Sequence, residues 1–289
     1  MQMDMQINQS KFKELIRQCQ VKGICKLFPL SYSLMISGIS CPAQLNYRRL
    51  SGKPGGIAID SAAAKVGTFN HRVAQLCIQN SFLVDRDVDS MEYDFFWPNN
   101  ARGLTRAELL QAQMSRDDLW DTLVKVLNTL TKFKLEAFVE PTWGVNLKGK
   151  AFAPKQKNAE KFITGKIDVV GLNKDRTKGL VLDYKTHAKK EQNFDELRNQ
   201  LITYIISSKL KYPQLVTLTA GVAYITGAVL DVVIQLTTPQ QFQEIFDEFF
   251  SFVEKFINCW EAVEACIPKK NPKCKWCSYS PICSIQVKK

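Results

Sequence analysis

The chain has 289 residues, 45% hydrophobic and 23% charged, which is the balance of a folded globular protein of one large domain, or of one domain with a small accessory lobe. Its 39 basic and 28 acidic residues give a formal net charge of +11, which favours a polyanionic partner, nucleic acid ahead of an anionic membrane. No apolar run is long enough to cross a bilayer, no strongly amphipathic basic helix stands out, and the polar segment 1–10 lacks a secretion signal. We therefore expect a cytoplasmic protein with no membrane partner.

The N-terminal part of the chain is predicted to be helical. Apolar periodicity predicts an amphipathic helix over 10–25 and a helical stretch over 31–50. Proline has no backbone N–H, so this stretch should break at Cys41-Pro42. A further helix, over 62–83, carries His71.

The next part is predicted to be an added segment over about 85–132. Residues 85–94 are acidic and irregular, and 97–102 look like a loop. A helical pattern over 105–135 has an internal break at Ser115.

The middle of the chain changes to β-structure. Strands are predicted over 137–147, 162–172, 179–186, 217–225 and 229–236. A helix over 195–209 separates the third strand from the fourth, and a long helix from Thr238 to about Cys266 follows the last. This order predicts an α/β fold with a mixed central sheet flanked by helices. It divides the chain into a helical region, 1–60, a core, 61–240, and a C-terminal part, 241–289.

Two acidic strings occupy neighbouring strands. They are Gly165-Lys-Ile-Asp168 and Leu182-Asp183-Tyr184-Lys185. Side chains alternate along a strand, so Asp183 and Lys185 share one face, and a turn over 173–178 can bring Asp168 beside Asp183. Paired carboxylates suit Mg²⁺ or Mn²⁺, and an adjacent lysine can offset the charge that grows on a phosphate.

Further polar residues fit around this pair. Glu140 lies on the preceding strand, with Glu136 as a competitor for its role, and His71 is a candidate imidazole ligand. Gln200 and Tyr204 are four apart on a helix and share a face. Each has an ordinary explanation alone, as a solvated carboxylate, a packed histidine or a helix surface pair. The spacing of the whole set therefore carries the prediction.

The joint pattern resembles the RecB-like branch of the PD-(D/E)XK nucleases over about 67–205. The matching strings are Gly67-x-x-x-His71, Glu140, Gly165-x-Ile-Asp168, Asp183-Tyr184-Lys185-Thr186 and Gln200-x-x-x-Tyr204. The resemblance implies a restriction-endonuclease-like fold and metal-dependent DNA cleavage. It also implies these roles: metal ligands His71, Asp168 and Asp183, catalytic lysine Lys185, auxiliary acid Glu140, and supporting motif Gln200 and Tyr204.

Nine cysteines are present, and their grouping near the C-terminus points to metal binding. The closely spaced thiols are Cys274, Cys277 and Cys283. A tetrahedral site or a cubane cluster takes four ligands. We expect Cys41 as the fourth, with Cys25 and Cys266 as alternatives. Three others fall in helical patterns and are expected to be buried apolar residues: Cys19, Cys77 and Cys259. From spacing alone, zinc is the first choice of metal.

The cysteine layout is also similar to that of iron–sulfur nucleases. In the AddB nuclease domain and the CRISPR-associated RecB-like exonucleases, a lone cysteine follows an N-terminal helix and Cys-x2-Cys-x5-Cys closes the fold. The similarity implies a 4Fe–4S cluster that ties the two ends of the fold together, held by Cys41, Cys274, Cys277 and Cys283.

These resemblances imply a DNA exonuclease that acts on single-stranded or frayed ends, commonly with 5′ polarity. The free-standing CRISPR-associated exonucleases that trim DNA before spacer integration are similar in layout, so adaptation proteins are candidate partners. This chain departs from them by the 85–132 segment and an extended N-terminus. It also lacks a Gly-x-x-x-x-Gly-Lys motif, so any helicase motor would be a separate chain.

A second hypothesis is a DNA-binding accessory subunit of a helicase–nuclease or repair complex, with a structural zinc or iron–sulfur site and a vestigial nuclease site. The presence of Asp168, Asp183 and Lys185 argues against it. The pattern leaves open the oligomeric state, the number of catalytic metals and the balance of exonuclease and endonuclease action.

Overall fold

The structure is a computed structural model. It describes residues 2–27, 29–50, 62–83, 104–139, 141–152, 160–187, 189, 193–270, 274, 277 and 283. The chain forms two compact units. Unit 1 comprises Met1–Ile59, Gly144–Gly165 and Gln243–Lys289, and unit 2 comprises Asp60–Trp143 and Lys166–Phe242.

The described elements are mainly helices in the first part of the chain and strands with two long helices in the second. The helices are α1 (Gln2–Val21), α2 (Tyr32–Ser40), α3 (Pro42–Leu50), α4 (Ala62–Leu83), α5 (Arg106–Met114), α6 (Arg116–Lys132), α7 (Phe194–Lys211), α8 (Pro239–Asn258) and α9 (Trp260–Glu264), with a 3-10 turn at Ile24–Leu27. The strands are β1 (Leu30–Ser31), β2 (Glu136–Val139), β3 (Thr142–Asn146), β4 (Lys161–Lys166), β5 (Val169–Leu172), β6 (Lys178–Lys185), β7 (Thr217–Tyr224) and β8 (Val229–Leu236).

Unit 2 is built on a five-stranded sheet in the order β2-β5-β6-β7-β8. Strands β6 and β7 are parallel, and the other neighbours are antiparallel. Parallel neighbours need a long crossover, and α7 supplies it between β6 and β7. The sheet is therefore mixed, and the expected restriction-endonuclease-like α/β fold is confirmed.

Each face of this sheet has its own helical cover. On one face, Leu180, Leu182 and Tyr184 of β6 belong to a buried cluster that contains Val73 of α4 and Leu123 of α6. On the other face lies α7, whose residues 201–208 are all buried. Because β6 alternates, its odd-numbered side chains point toward α7. The central strand thus separates an apolar core from a second layer beneath α7.

Unit 1 contains a three-stranded sheet in the order β1-β4-β3, in which β1 runs parallel to β4. Helices α1 and α8 meet through aromatic rings: Phe12 lies 4.9 Å from Phe250 and 5.9 Å from Phe249, measured between ring centroids. Such edge-on and tilted pairs add to the burial of apolar area.

Several element predictions agree with the structure. Helix α4 has the predicted bounds, and the stretch over 31–50 is broken at Cys41, before Pro42. The helical pattern over 105–135 divides at Ser115, and Thr105 caps α5 through a capping box with Glu108.

Other element predictions were wrong in their continuity. The single strands predicted over 137–147 and 162–172 are each two strands, divided near Pro141 and at Ile167-Asp168. The Ile167 N–H donates to the Pro141 carbonyl at 3.2 Å, so the two breaks are side by side. The helix predicted from Thr238 to Cys266 is interrupted at Cys259, and the first helix begins at Gln2 rather than near residue 10.

Candidate active site

Asp168 lies at the junction between β4 and β5. The register pairs Val169 with Leu182, which places Asp168 level with Asp183 on the neighbouring strand. One carboxylate oxygen of Asp168, Oδ2, accepts the backbone N–H of Tyr184 at 2.7 Å. The turn between β5 and β6 thus brings the two aspartates together.

Asp183 is buried, with 3% of its surface exposed, and is surrounded by polar partners. Its Oδ1 accepts from Gln200 Nε2 at 2.8 Å and from the Tyr204 hydroxyl at 3.2 Å. Its Oδ2 lies 2.7 Å from Lys185 Nζ in an ion pair. Burial of a carboxylate is unfavourable unless it is paired and hydrogen-bonded, and these three side chains meet that requirement.

Gln200 joins the acid to the lysine. Its Oε1 accepts from Lys185 Nζ at 3.0 Å, while its Nε2 donates to Asp183 and lies 2.7 Å from the Tyr204 hydroxyl. Residues four apart on a helix share a face, so Gln200 and Tyr204 point to the sheet from one side of α7. The helix therefore holds both ends of the Asp183–Lys185 pair.

His71 approaches Asp168 from α4. Its Nδ1 lies 3.6 Å from Asp168 Oδ1, its side chain is 31% exposed, and its ring packs edge-on against Tyr184 with centroids 5.8 Å apart. Gln75, one turn further on, lines the same crevice as these three side chains. Sequence reasoning missed Gln75, although its i+4 spacing from His71 was a usable signal.

The charges of the site shift the protonation of both Asp183 and His71. Burial raises the pKa of the Asp183 carboxyl, and the charge of Asp168 adds to this, so the pKa rises although Lys185 opposes the change. Burial acts to lower the pKa of His71, but its interactions with Asp168 and the charge of Asp183 outweigh burial, so the pKa is raised. Two carboxylates in a buried site favour a positive partner.

The donor set fits a hard divalent cation. Asp183 Oδ2 is buried and has no hydrogen bond among the described residues, only the ion pair with Lys185, and Asp168 Oδ1 faces the imidazole of His71. Carboxylate oxygens with one imidazole are suitable ligands for Mg²⁺ or Mn²⁺. Within the described ranges, no three His, Cys, Asp or Glu side chains are already arranged as a metal-binding group.

The remaining acidic candidates have different positions. Glu140, the expected auxiliary acid, lies outside the described residues. Its competitor Glu136 pairs with Leu172 at the other end of β5 from Asp168. Glu136 instead forms a 2.7 Å ion pair with Arg176. This position separates Glu136 from the aspartates by most of a strand.

The cysteines are all free thiols. Cys19 and Cys77 are buried as expected, whereas Cys259 is only half-buried. Of the expected cluster ligands, Cys41 is buried at the end of α2, and the C-terminal three are half-buried: Cys274, Cys277 and Cys283. In the part of the chain that the structure describes, they do not form a ready ligand group.

Tyr47 of α3 nevertheless lies near several of these thiols. A hydrogen bond with Cys266, burial, and the nearby Cys266, Cys283 and Cys41 raise the pKa of Tyr47 to about 12. The segment that carries Cys266 is attached to α3, because the Ala43 N–H donates to the Ile267 carbonyl at 3.1 Å. Cys266, one of the alternative ligands, therefore lies in a segment that contacts the start of α3, next to Cys41.

The site as a whole combines two carboxylates, an amine and an imidazole where the central strands of a mixed sheet end. This arrangement can hold a divalent cation and stabilise negative charge on a phosphate, which is the chemistry of a phosphodiester hydrolase.

A family model described as "PD-(D/E)XK nuclease superfamily" matches residues 29–284, and the chain belongs to that superfamily. Membership indicates a metal-dependent nuclease. Nucleases of this superfamily act on DNA and typically use Mg²⁺ or Mn²⁺. No curated protein matches the chain.

A solved structure described as "Crystal structure of SSO0001" is similar at 15% identity, covering 75% of this chain and 86% of that one, with a TM-score of 0.32. That value is too low to support an argument. Among the described residues, no helix is both long and apolar enough to span a membrane.

Proposed function

We propose that this protein is a Mg²⁺- or Mn²⁺-dependent exonuclease that degrades single-stranded DNA or frayed ends from the 5′ terminus. The observation that supports this best is the buried Asp183 carboxylate, held by Lys185, Gln200 and Tyr204 beside Asp168. A buried acid kept next to an amine and a second acid has little structural value, because apolar residues would fill the same space more favourably.

In the proposed site, Asp168, Asp183 and His71 hold the cation. When bound, the cation supplies Lewis acidity for the scissile phosphate and lowers the pKa of a coordinated water. Glu140 serves as an auxiliary acid.

Lys185 stabilises the negative charge that develops on the phosphate during cleavage. Its ammonium is held by an ion pair with Asp183 Oδ2 at 2.7 Å and by a hydrogen bond to Gln200 Oε1 at 3.0 Å. Two fixed partners limit the rotamers that a flexible lysine samples, so less reorganisation is needed in the transition state. Gln200 thus acts as a positioning residue for both the acid and the amine.

The substrate proposal rests on charge and on the family resemblance. A net charge of +11 favours capture of a polyanion. The resemblance to free-standing CRISPR-associated exonucleases suggests trimming of DNA before spacer integration in the cytoplasm, with adaptation proteins or a separate helicase as partners. We also propose that the chain is organised as a helical region, 1–60, a nuclease core, 61–240, and a C-terminal part, 241–289.

We also propose a structural 4Fe–4S cluster held by Cys41, Cys274, Cys277 and Cys283. Support comes from their spacing, from their being free thiols, and from the position of Tyr47 near Cys41 and Cys283. Four thiolates are a suitable set for such a cluster. A link between positions so distant in sequence would restrict the unfolded chain in the manner of a crosslink.

The nuclease proposal is tested by cleavage of single-stranded DNA in Mn²⁺ by the wild type, Asp183→Ala and Lys185→Ala. We expect Lys185→Ala to lower kcat by about a hundredfold to a thousandfold, as when a charge-stabilising donor is removed. Lys174→Ala, an exposed lysine in the turn before β6, is the matched control and should retain wild-type activity. Equal cleavage by all variants would refute the site. DNA binding without cleavage by the wild type would favour the accessory-subunit alternative.

Polarity and mode of cleavage need separate substrates. Oligonucleotides labelled at the 5′ or the 3′ end show which terminus is released first, and a circular single strand shows whether a free end is required. Early release of the 3′ label, or rapid cutting of the circle, would contradict 5′ exonuclease action.

The cluster proposal is tested on protein purified without oxygen, by visible absorption and by iron and zinc content. We expect iron in the wild type and in Cys25→Ser, which removes the exposed thiol that is one of the two alternative fourth ligands. Cys41→Ser should lose iron. Stoichiometric zinc with a featureless visible spectrum would overturn the cofactor assignment, and iron loss in Cys266→Ser but not in Cys41→Ser would reassign the fourth ligand.

A further inference from the structure

Unit 2 carries a groove on the sheet face opposite to the catalytic side chains. The groove has a volume of about 580 Å³ and its floor includes Leu180 and Leu182 of β6. These two side chains alternate with Asp183 and Lys185, so they point away from the acidic site. Any ligand of the groove therefore binds apart from the scissile phosphate.

The floor of the groove is aliphatic. Besides the two β6 leucines, it is lined by Leu230 and Val232 of β8. Val232 is 58% exposed, and Phe133 at the end of α6 is 60% exposed. Among the described residues, Phe133 is the one aromatic residue of the lining, and successive stacked bases need several such rings, so the aliphatic floor is better suited to side chains of a partner protein.

Exposed apolar side chains contribute to this groove. Among the described residues, nine large hydrophobic side chains are exposed, and two of them, Phe133 and Val232, line the groove. Exposed apolar side chains beside a polar rim are typical of an interaction site.

The rim is positively charged. It includes Lys132, Lys134 and Lys178, and no ion pair joins them to a carboxylate within the described part of the chain. Asp231, the acidic residue of the lining, is paired with Lys189 at 2.9 Å. The groove thus offers an apolar floor bordered by three cations, and the complementary ligand is apolar and acidic.

We propose that this groove binds an acidic, hydrophobic segment of a partner protein, with apolar side chains on the aliphatic floor and carboxylates on the lysine rim. A second copy of the chain fits less well, because a net charge of +11 opposes contact with a basic rim. The site does not depend on the nuclease proposal, since it shares no side chain with the acidic site.

The test is selection from a random 12-residue peptide library on the immobilised full chain, with affinities of enriched peptides measured in solution. The expected peptides carry net negative charge together with several large apolar residues. Their binding should weaken at least tenfold in Val232→Glu and in Lys178→Glu, and should fall with rising salt. Either variant alone is a sufficient test of the proposal, provided that its circular dichroism and thermal midpoint match those of the wild type.

The matched controls are Val21→Glu, an exposed valine on α1, and Lys174→Glu, a lysine in the turn before β6. Both should bind the peptides as the wild type does. Enrichment of neutral or basic peptides, or equal binding by all variants, would overturn the proposal. The proposal would also be overturned if no acidic peptide were selected and the two groove variants instead lost affinity for an oligothymidine probe, measured in Ca²⁺. The groove would then be part of the DNA-binding surface.

Discussion

The two faces of strand β6 carry side chains of opposite character, polar on one face and apolar on the other. On one face, Asp183 and Lys185 enter a polar network with Gln200 of α7. On the other, Leu182 and Tyr184 are buried in the apolar cluster beneath α4 and α6. A single eight-residue strand thus carries the candidate chemistry and the core in alternate positions.

This difference indicates how stability and activity are divided in unit 2. The apolar face stabilises the fold by removing side chains from water. The polar face keeps a carboxylate in a buried position, which costs free energy that its partners only partly offset. Substitutions on the two faces should therefore separate folding from catalysis.

The largest stability effect is expected from Leu182→Ala. Removing a buried leucine leaves a cavity and should lower the free energy of unfolding by about 2–5 kcal/mol. Cleavage per folded molecule should remain within a few-fold of wild type, because Leu182 points away from the acidic site. Denaturant unfolding and kcat at low temperature test this. A stable but inactive variant would show that the two faces are not independent.

On the polar face, Gln200→Ala should lower kcat by roughly tenfold to a hundredfold, since hydrogen bonds to charged groups contribute about 1.5–3 kcal/mol. KM should change less than kcat, because Gln200 orients Lys185 rather than the substrate. The control is Asn199→Ala on the same helix, whose amide donates to the Asp195 carbonyl within α7. Equal loss in both variants would indicate a folding defect instead.

A smaller effect is expected for Tyr204→Phe. Its hydroxyl donates to Asp183 Oδ1 at 3.2 Å and lies 2.7 Å from Gln200 Nε2. The variant loses the bond to Asp183 and the bond from Gln200, but Gln200 keeps its own bond to Asp183, so we expect a reduction in kcat of severalfold. A double variant with Gln200→Ala should be less than additive, because both residues hold the same oxygen. Full additivity would argue against a shared network.

The smallest effect is expected for Tyr184→Phe. The Tyr184 hydroxyl is buried and has no hydrogen-bond partner among the described residues. Deleting an unsatisfied buried group should leave the free energy of unfolding within about 0.5 kcal/mol of wild type or raise it. Destabilisation comparable to that of Leu182→Ala would reveal a partner for this hydroxyl.

The acidic site was largely accessible from the sequence because it depends on local rules. Strand alternation places Asp183 and Lys185 on one face, and a short turn brings Asp168 beside them. Helical spacing places Gln200 and Tyr204 together. Their proposed roles, and that of Glu140, stay predictions.

The breaks within the predicted strands could not be predicted from the sequence in the same way. The segments 137–147 and 162–172 are apolar enough to read as single strands, but each leaves one sheet and enters another. This change depends on pairing between segments remote in sequence, which periodicity does not encode. The proline at 141 was the available signal. The cysteine assignment is limited similarly, because spacing cannot distinguish Cys41 from Cys266.

The hydrogen bond between the Tyr184 amide and Asp168 gives strand β6 an internal reporter. A main-chain group that would ordinarily continue the ladder points at a carboxylate, so its NMR chemical shift should follow the charge on that carboxylate. Titration of Mg²⁺ into protein labelled with ¹⁵N-tyrosine would then show occupancy of the acidic site through the signal of this amide. Rapid hydrogen exchange of the same amide proton would indicate local opening at the end of β6.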